Sequence, residues 1–142
     1  MADTLRDRIP LQRRKILKKS LGSMIQILAA SIVLPMFFHA GLTEPRPIAS
    51  MPGVSQWPVS HAAAAAKEAT SLGLGRVMPF GLPESKDERG ECGADRDGPV
   101  PRAIRAMKDA SPGLVVMADV CVDEYTTHGH CGVLRKAADG SV

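Results

Sequence analysis

This sequence has few aromatic side chains and a small net charge. Its 142 residues include one Trp, one Tyr and three Phe, and 18 basic side chains against 15 acidic ones leave a net charge of +3 at pH 7. Single strands of nucleic acid are bound on aromatic platforms, and duplexes by concentrated positive charge, so we expect no nucleic-acid partner. Any core must come from Ala, Val, Leu, Ile and Met, which the layers of an α/β fold allow.

Cysteines are few and odd in number. The three, Cys92, Cys121 and Cys131, cannot all pair within one chain, and they lack the dense even spacing of a secreted disulfide scaffold. A reducing compartment, and hence a cytoplasmic location, is therefore predicted.

The N-terminus places a basic run before an apolar one. Residues 13–19 are mostly Arg and Lys, and residues 24–38 are mostly apolar. This is the outline of an export signal, and Arg13-Arg14 resembles a Tat-type leader. However, Gln26 and Pro35 interrupt the apolar run, which is shorter than the ~20 residues that a membrane span needs. We predict a basic arm over residues 1–30 that leads into a strand, with no membrane span; Tat-type export is the alternative.

Beyond the arm, short apolar runs alternate with helical patterns. The helical patterns end at Gly73 and at Pro112-Gly113, and a charged, glycine-rich loop runs from Gly81 to Gly98. Alternation of this kind implies right-handed crossovers and a parallel sheet, hence an α/β fold. The predicted order is strand 32–34, helix 61–72 capped by Ser60, strand 76–80, helix 101–110 and strand 114–118.

Candidate ligands follow the third predicted strand. If the chain stays extended there, Asp119, Cys121 and Asp123 point to one side, and the following loop can fold Cys131 back toward Cys121. Two sulfur atoms and one oxygen suit zinc better than magnesium, and three protein ligands leave a position open for water or substrate. The alternative is that the cysteines are small buried side chains.

Two histidines in the same loop, His128 and His130, add possible ligands. Their alternative is an ordinary role as hydrogen-bonding loop residues.

This segment resembles the metal loop of porphobilinogen synthase, also called delta-aminolevulinic acid dehydratase. The loop reads DVCVDEYTTHGHCG from Asp119 to Gly132. Further segments resemble the N-terminal half of the same family in order, so that the resemblance covers residues 32–135. They are Val33–Phe38, Pro47–Val54, Phe80–Pro83, Lys86–Gly90 and Arg102–Arg105.

The resemblance implies a (β/α)8 TIM barrel enzyme of tetrapyrrole and heme biosynthesis, a lyase that condenses two 5-aminolevulinate molecules to porphobilinogen. Cys121 and Cys131 match the first and third of the three cysteines that hold zinc in the zinc-dependent members, and Asp123 stands at the second. Members with aspartates in this loop depend less on zinc or use magnesium, which is therefore the alternative metal. Asp119 matches an active-site acid, for which we expect a catalytic support role; its alternative is a capping Asp.

The resemblance also implies lysines that form Schiff bases with substrate, in the second half of the barrel, and none in this chain matches them. We interpret the chain as the N-terminal part of a barrel, about three strand-helix units, with residues 31–142 an incomplete barrel domain of a truncated form or partial sequence. The isolated chain is then expected to be inactive. In the family the N-terminal arm embraces a neighbouring subunit, which predicts a homo-oligomer. The alternative is a small metal-binding or interaction protein without catalysis.

Overall fold

The computed structural model describes residues 28–135, which form one five-stranded sheet with two helices. Three short 3₁₀ segments, Ala29–Ser31, Val59–His61 and Glu91–Ala94, lie between the main elements. The strands are β1 (Val33–His39), β2 (Arg46–Pro47), β3 (Ser55–Pro58), β4 (Arg76–Leu82) and β5 (Val115–Val116), and the helices are α1 (Ala62–Ser71) and α2 (Pro99–Ala110).

The sheet is parallel apart from one short strand. Its order is β2-β3-β1-β4-β5, and β1 pairs in parallel with both β3 and β4, while β4 pairs in parallel with β5. This confirms the predicted parallel sheet. Only β2 runs antiparallel, against β3. Neither β2 nor β3 was predicted, because both strands are short and contain proline, which weakens the sequence pattern of a strand. The third predicted strand is shorter than expected, since only Val115–Val116 pair.

Both predicted helices form. Helix α1 ends at Ser71, and Gly73 then adopts a φ of 77°, a left-handed conformation that glycine tolerates without strain. The predicted cap at Ser60 is wrong. A 3₁₀ turn at Val59–His61 precedes α1, so the N-cap is His61, which makes no side-chain capping bond. Helix α2 begins two residues earlier than predicted, at Pro99, where a first-turn proline loses no hydrogen bond.

The core lies between the sheet and the two helices. Phe38 of β1 and Val77 of β4 are fully buried there, and the small side chains of α1 let α2 approach closely. The opposite face of the sheet carries Phe37 and Phe80, whose rings stack with centroids 5.4 Å apart. Side chains alternate along a strand, which explains why neighbours Phe37 and Phe38 face opposite sides. The helical contribution to the core comes from Ala62, Ala65, Ala66, Ala69, Ala103 and Met107.

The parallel strands direct two long loops to one edge of the sheet. The loop after β4 and the segment after β5 both leave from the carboxyl ends of neighbouring strands. The loop after β4 runs from Pro83 to Gly98, and the segment after β5 is described from Met117 to Arg135. Residues 119–132, the cysteine loop, therefore lie at the edge where parallel α/β folds place their sites.

Two terminal segments lie outside the described residues. Most of the predicted arm, including Arg13 and Arg14, falls in residues 1–27, and residues 136–142 follow the described part. Among residues 28–135, no helix has the length and apolar character that a membrane crossing requires.

Candidate metal and catalytic site

The two cysteines of the loop meet. The structure joins Cys121 and Cys131 in a disulfide, with their Cα atoms 5.9 Å apart and a sequence separation of 10. That Cα separation lies in the usual range for bridged cysteines. The prediction that the loop folds Cys131 back onto Cys121 is therefore confirmed, and the third cysteine, Cys92, is free.

The predicted extended wall of three ligands is wrong. The chain turns directly after Cys121, because the amides of Tyr125 and Thr126 both donate to the carbonyl oxygen of Val122, at 3.0 and 3.1 Å. The Asp123 carboxylate instead accepts the amide N–H of Glu124 at 3.0 Å. Within residues 28–135, no three His, Cys, Asp or Glu side chains are grouped so that they could hold a metal ion. Asp119 is exposed and precedes the turn.

Thr126 lies at the centre of this loop. It is buried, with 1% of its surface exposed, although its neighbour Thr127 is exposed. Its hydroxyl lies 3.3 Å from the carbonyl oxygen of Asp123 and 3.1 Å from that of His130. One side chain therefore bridges the two halves of the loop, close to each cysteine.

The loop after β4 pairs with the cysteine loop. The Asp87 amide donates to the Tyr125 carbonyl oxygen at 3.3 Å, and the Thr127 amide donates to the Asp87 carbonyl oxygen at 2.9 Å. The Asp87 carboxylate accepts the amides of Arg89 at 2.7 Å and of Glu91 at 3.1 Å. The latter two bonds lower the pKa of Asp87, that to Arg89 most strongly. Asp87 thus organises its own turn and also contacts the neighbouring loop.

The two histidines are held within these loops. His128 Nε2 lies 3.0 Å from the Glu88 carbonyl oxygen, and the His130 amide donates to His128 Nδ1 at 3.1 Å. His128 therefore makes hydrogen bonds between the two loops, which was the predicted alternative to a role as a metal ligand.

A half-buried carboxyl, Glu124, belongs to the same edge. Burial raises its pKa to about 7, and the nearby carboxylates of Asp119 and Asp123 act in the same direction. A backbone hydrogen bond at Gly81 of β4 partly opposes this rise. The site thus contains a carboxyl that changes charge near neutral pH. Sequence reasoning missed it, because nothing in the pattern separates Glu124 from the adjacent Asp123.

Tyr125 is buried next to Gly81 and Gly93. Burial raises its pKa to about 12, so its hydroxyl stays protonated at neutral pH. A Cβ atom built on Gly81 would lie 2.8 Å from the Tyr125 hydroxyl, and one built on Gly93 would lie 2.9 Å from its ring. Glycines at both positions make room for the tyrosine.

The donor set fits zinc in part. After reduction, Cys121 and Cys131 would supply two adjacent soft ligands, which favour zinc over magnesium. The third donor, Asp123, does not join them in this arrangement, because the turn at Val122 separates it from the pair. The structure therefore brings two of the three predicted ligands together and leaves the third apart.

Comparisons with known proteins identify a family that this chain resembles. The family model of delta-aminolevulinic acid dehydratase matches residues 6–142. The enzyme of that name from Mycobacterium tuberculosis H37Rv is 43% identical over 133 residues, which cover 88% of this chain and 40% of the relative. The corresponding Escherichia coli K12 protein is 37% identical over 129 residues, which cover 87% of this chain and 40% of the relative.

A solved structure shares the fold. Delta-aminolevulinic acid dehydratase (porphobilinogen synthase) from Toxoplasma gondii ME49, in complex with the reaction product porphobilinogen, superimposes with a TM-score of 0.74 at 31% identity. The match covers 94% of this chain and 39% of that one. The chain thus spans about two fifths of the length of the relatives it matches. The fold is part of a TIM barrel, as predicted, and the chain belongs to the delta-aminolevulinic acid dehydratase family.

Proposed function

We propose that this chain supplies the metal-loop part of a lyase that condenses two molecules of 5-aminolevulinate to porphobilinogen. The observation that carries the proposal is the meeting of Cys121 and Cys131 at the carboxyl edge of a parallel sheet, in a chain of this family. Enzymes built on barrels of this type keep their reacting groups at that edge. The acids Asp119 and Glu124 lie in the same segment.

Asp119 takes the role of polar support beside the substrate. It is exposed after β5, at the edge where substrate would enter, and its charge acts on Glu124. A carboxylate in this position can orient an amino group of 5-aminolevulinate by charge and by hydrogen bonding. In this proposal, Asp119→Asn lowers the turnover of the chain once it is joined to the remaining barrel of a relative, and leaves the fold intact.

The metal in this proposal is zinc, with magnesium as the alternative. The reduced Cys121 and Cys131 would hold it, and Asp123 would join them only after the turn at Val122 rearranges. Zinc would supply Lewis-acid polarisation of a substrate oxygen. A carboxylate in place of one thiolate makes the donor set harder, so we expect weak zinc binding. The reduced pair is required, since a disulfide offers no thiolate.

Zinc binding is tested by titrating the reduced chain and comparing two variants at one position. Asp123→Cys should tighten zinc binding by about tenfold or more, since it completes a set of three thiolates. Asp123→Asn should weaken it, and Asp109→Asn on the exposed side of α2 serves as a control for lost charge. If the chain retains no zinc, and Cys121 and Cys131 are freely alkylated in its presence, the metal proposal is wrong.

Catalysis requires groups that this chain does not match. The family resemblance implies Schiff-base lysines in the second half of the barrel, and the chain spans about two fifths of its relatives. We therefore expect no porphobilinogen from the 142 residues alone. Joined to the remaining barrel of the Mycobacterium tuberculosis relative, the chain should produce it. Turnover by the 142 residues alone would contradict the lysine argument, and a folded but inactive chimera would contradict the proposed function.

Assembly and location complete the proposal. We propose a cytoplasmic homo-oligomer in which the basic arm of residues 1–30 contacts a neighbouring subunit. The chimera with and without residues 1–27 provides the test, by comparing molecular mass in solution. We expect the longer form to be the larger oligomer, and equal oligomeric states would contradict the role of the arm.

A further inference from the structure

We propose that Thr126, supported by Asp87, is a positioning residue that brings Cys121 and Cys131 together before any metal binds. This inference deepens the proposed function, because it names the residues that set the geometry of the same site. Neither residue touches the sulfur atoms. Both act through the backbone of the loop that carries them.

The contacts of Thr126 span the loop. Asp123, whose carbonyl oxygen lies 3.3 Å from the hydroxyl, follows Cys121 by two residues, and His130, whose carbonyl oxygen lies at 3.1 Å, directly precedes Cys131. A hydroxyl has one proton, so it donates to one of these carbonyls at a time and is shared between them. Because Thr126 is 1% exposed, water does not compete for these bonds. The two ends of the loop are thereby tied at one buried point.

The turn that follows Asp87 packs against Thr126. The backbone of Asp87 bridges Tyr125 and Thr127, the residues on either side of Thr126. Its carboxylate accepts two amides of the following turn, in which Gly90 adopts a φ of 65°. A Cβ atom on Gly90 would lie 3.2 Å from the Thr126 methyl carbon, so the turn fits closely beneath the threonine.

If the loop were not already folded, the two cysteines would have to come together from a flexible chain each time they met. Each meeting would then cost the conformational entropy of closing a loop between residues separated by 10 in sequence. A loop that is already folded has lost that entropy during folding of the protein. The pair should therefore show a high effective concentration in the metal-free reduced chain, and this concentration should depend on the Thr126 hydroxyl rather than on its size.

Three variants of the full 142-residue chain distinguish the effect of the Thr126 hydroxyl from the effect of its side-chain shape. Thr126→Val removes the hydroxyl at nearly constant volume, and Thr126→Ser keeps the hydroxyl and removes the methyl group. Thr127→Val is the matched control, because Thr127 is exposed and, within residues 28–135, its hydroxyl makes no hydrogen bond. Far-ultraviolet circular dichroism compares their folding.

The first measurement is the equilibrium of the reduced pair with glutathione. Two protein thiols give up two electrons and two protons, and oxidised glutathione becomes two reduced molecules. We expect Thr126→Val to lower the effective concentration of the pair by about fivefold to tenfold, the size of one lost hydrogen bond. Thr126→Ser and Thr127→Val should remain within about twofold of the parent chain. A Thr126→Val chain that equals the parent would overturn the proposal, as would a Thr126→Ser chain that fails to rescue.

The second measurement uses cobalt(II) alone as a spectroscopic probe of the reduced chain. Sulfur-to-cobalt charge-transfer absorption should appear in the parent and in Thr126→Ser, and should need more cobalt in Thr126→Val. If Thr126→Val does not fold, Asp87→Asn takes its place, since it keeps the backbone bridge and weakens the turn. We expect a smaller loss of the same two signals, and an unchanged pair would overturn the proposal.

The two measurements also separate this inference from the function proposed above. If the glutathione equilibrium responds to Thr126 and no variant binds cobalt, the positioning role stands and the metal role is wrong. If cobalt binds equally to all variants and the glutathione equilibrium does not change, the metal role stands and the positioning role is wrong.

Discussion

The helix-covered core and the loops at the carboxyl edge are held together in different ways. The core joins Phe38, Val77 and Met107, all fully buried, through apolar contact between elements that form from local patterns. The edge joins the loop after β4 to the cysteine loop through polar contacts, among them His128 to the Glu88 carbonyl across 40 residues. Apolar packing is close and tolerates little extra volume, whereas the edge is built from hydrogen bonds, each of which contributes only about 0.5–1.5 kcal/mol net.

This difference teaches where stability and function lie in this chain. The core sets whether the sheet and helices form at all. The edge sets whether two cysteines and several carboxyls meet. Substitutions in the core should therefore change the free energy of unfolding, and substitutions at the edge should chiefly change binding and titration.

The largest effect is expected from Phe38→Ala. Phe38 is fully buried between β1 and the helices, and its removal leaves a cavity that costs about 3–5 kcal/mol of unfolding free energy. Its neighbour Phe37 is the matched control, because it is only partly buried on the other face, where it stacks on Phe80. Denaturant unfolding followed by circular dichroism measures both. Equal losses for Phe37→Ala and Phe38→Ala would contradict the assignment of the core to the helix-covered face.

A smaller loss is expected where the core meets the edge, at Gly81. A Cβ atom there would lie 2.6 Å from a Val100 methyl carbon and 2.8 Å from the Tyr125 hydroxyl. Gly81→Ala should therefore cost about 1–3 kcal/mol, as overpacking generally does, and should disturb Tyr125. Gly113→Ala is the control, because no atom lies within 4 Å of its built Cβ. Thermal unfolding compares the two, and a Gly81→Ala chain as stable as Gly113→Ala would show that the junction is loosely packed.

The core could be predicted from the sequence further than the edge. The alanine spacing of α1 and the apolar stripe of α2 are local, and both helices form within two residues of their predicted starts. The short strand Ser55–Pro58 could not be predicted, because its place beside β1 depends on a partner distant in sequence. The family resemblance adds what periodicity cannot show, namely the TIM-barrel context of the loop.

Within the candidate site, the meeting of Cys121 and Cys131 was predictable, and a hydrogen-bonding role for His128 was one of two alternatives; the other contacts could not be predicted. Two cysteines with a sequence separation of 10 are far enough apart for the chain between them to turn back, and the sequence shows this spacing. The turn at Asp123 is formed by hydrogen bonds from the Tyr125 and Thr126 amides to the Val122 carbonyl oxygen. The residues on either side of Thr126 bond to the backbone of Asp87 in another loop. These contacts arise from tertiary structure, so no spacing rule indicates them.

The smallest effect concerns the titration of Glu124. Its pKa is raised to about 7 from an ordinary value of 4.5, mainly by burial and further by Asp119 and Asp123. Between these two values the folded chain binds a proton more tightly than the unfolded chain, so the carboxyl favours folding at low pH. That contribution is lost as pH rises from about 4.5 through about 7. Because Glu124 is only half-buried, solvent screening should limit the effect to less than about 1 kcal/mol.

Glu124→Gln should remove this pH dependence, because the amide cannot ionise and its oxygen can still accept the backbone hydrogen bond at Gly81. The variant should be as stable as the parent near pH 5 and slightly more stable near pH 8, in unfolding curves collected across that range. Glu68→Gln, at an exposed position of α1, controls for the loss of one negative charge. If the stability of both variants depends on pH as that of the parent does, the burial of Glu124 does not affect folding. If only Glu124→Gln loses the pH dependence, the edge contributes to stability through titration, whereas the core does so through packing.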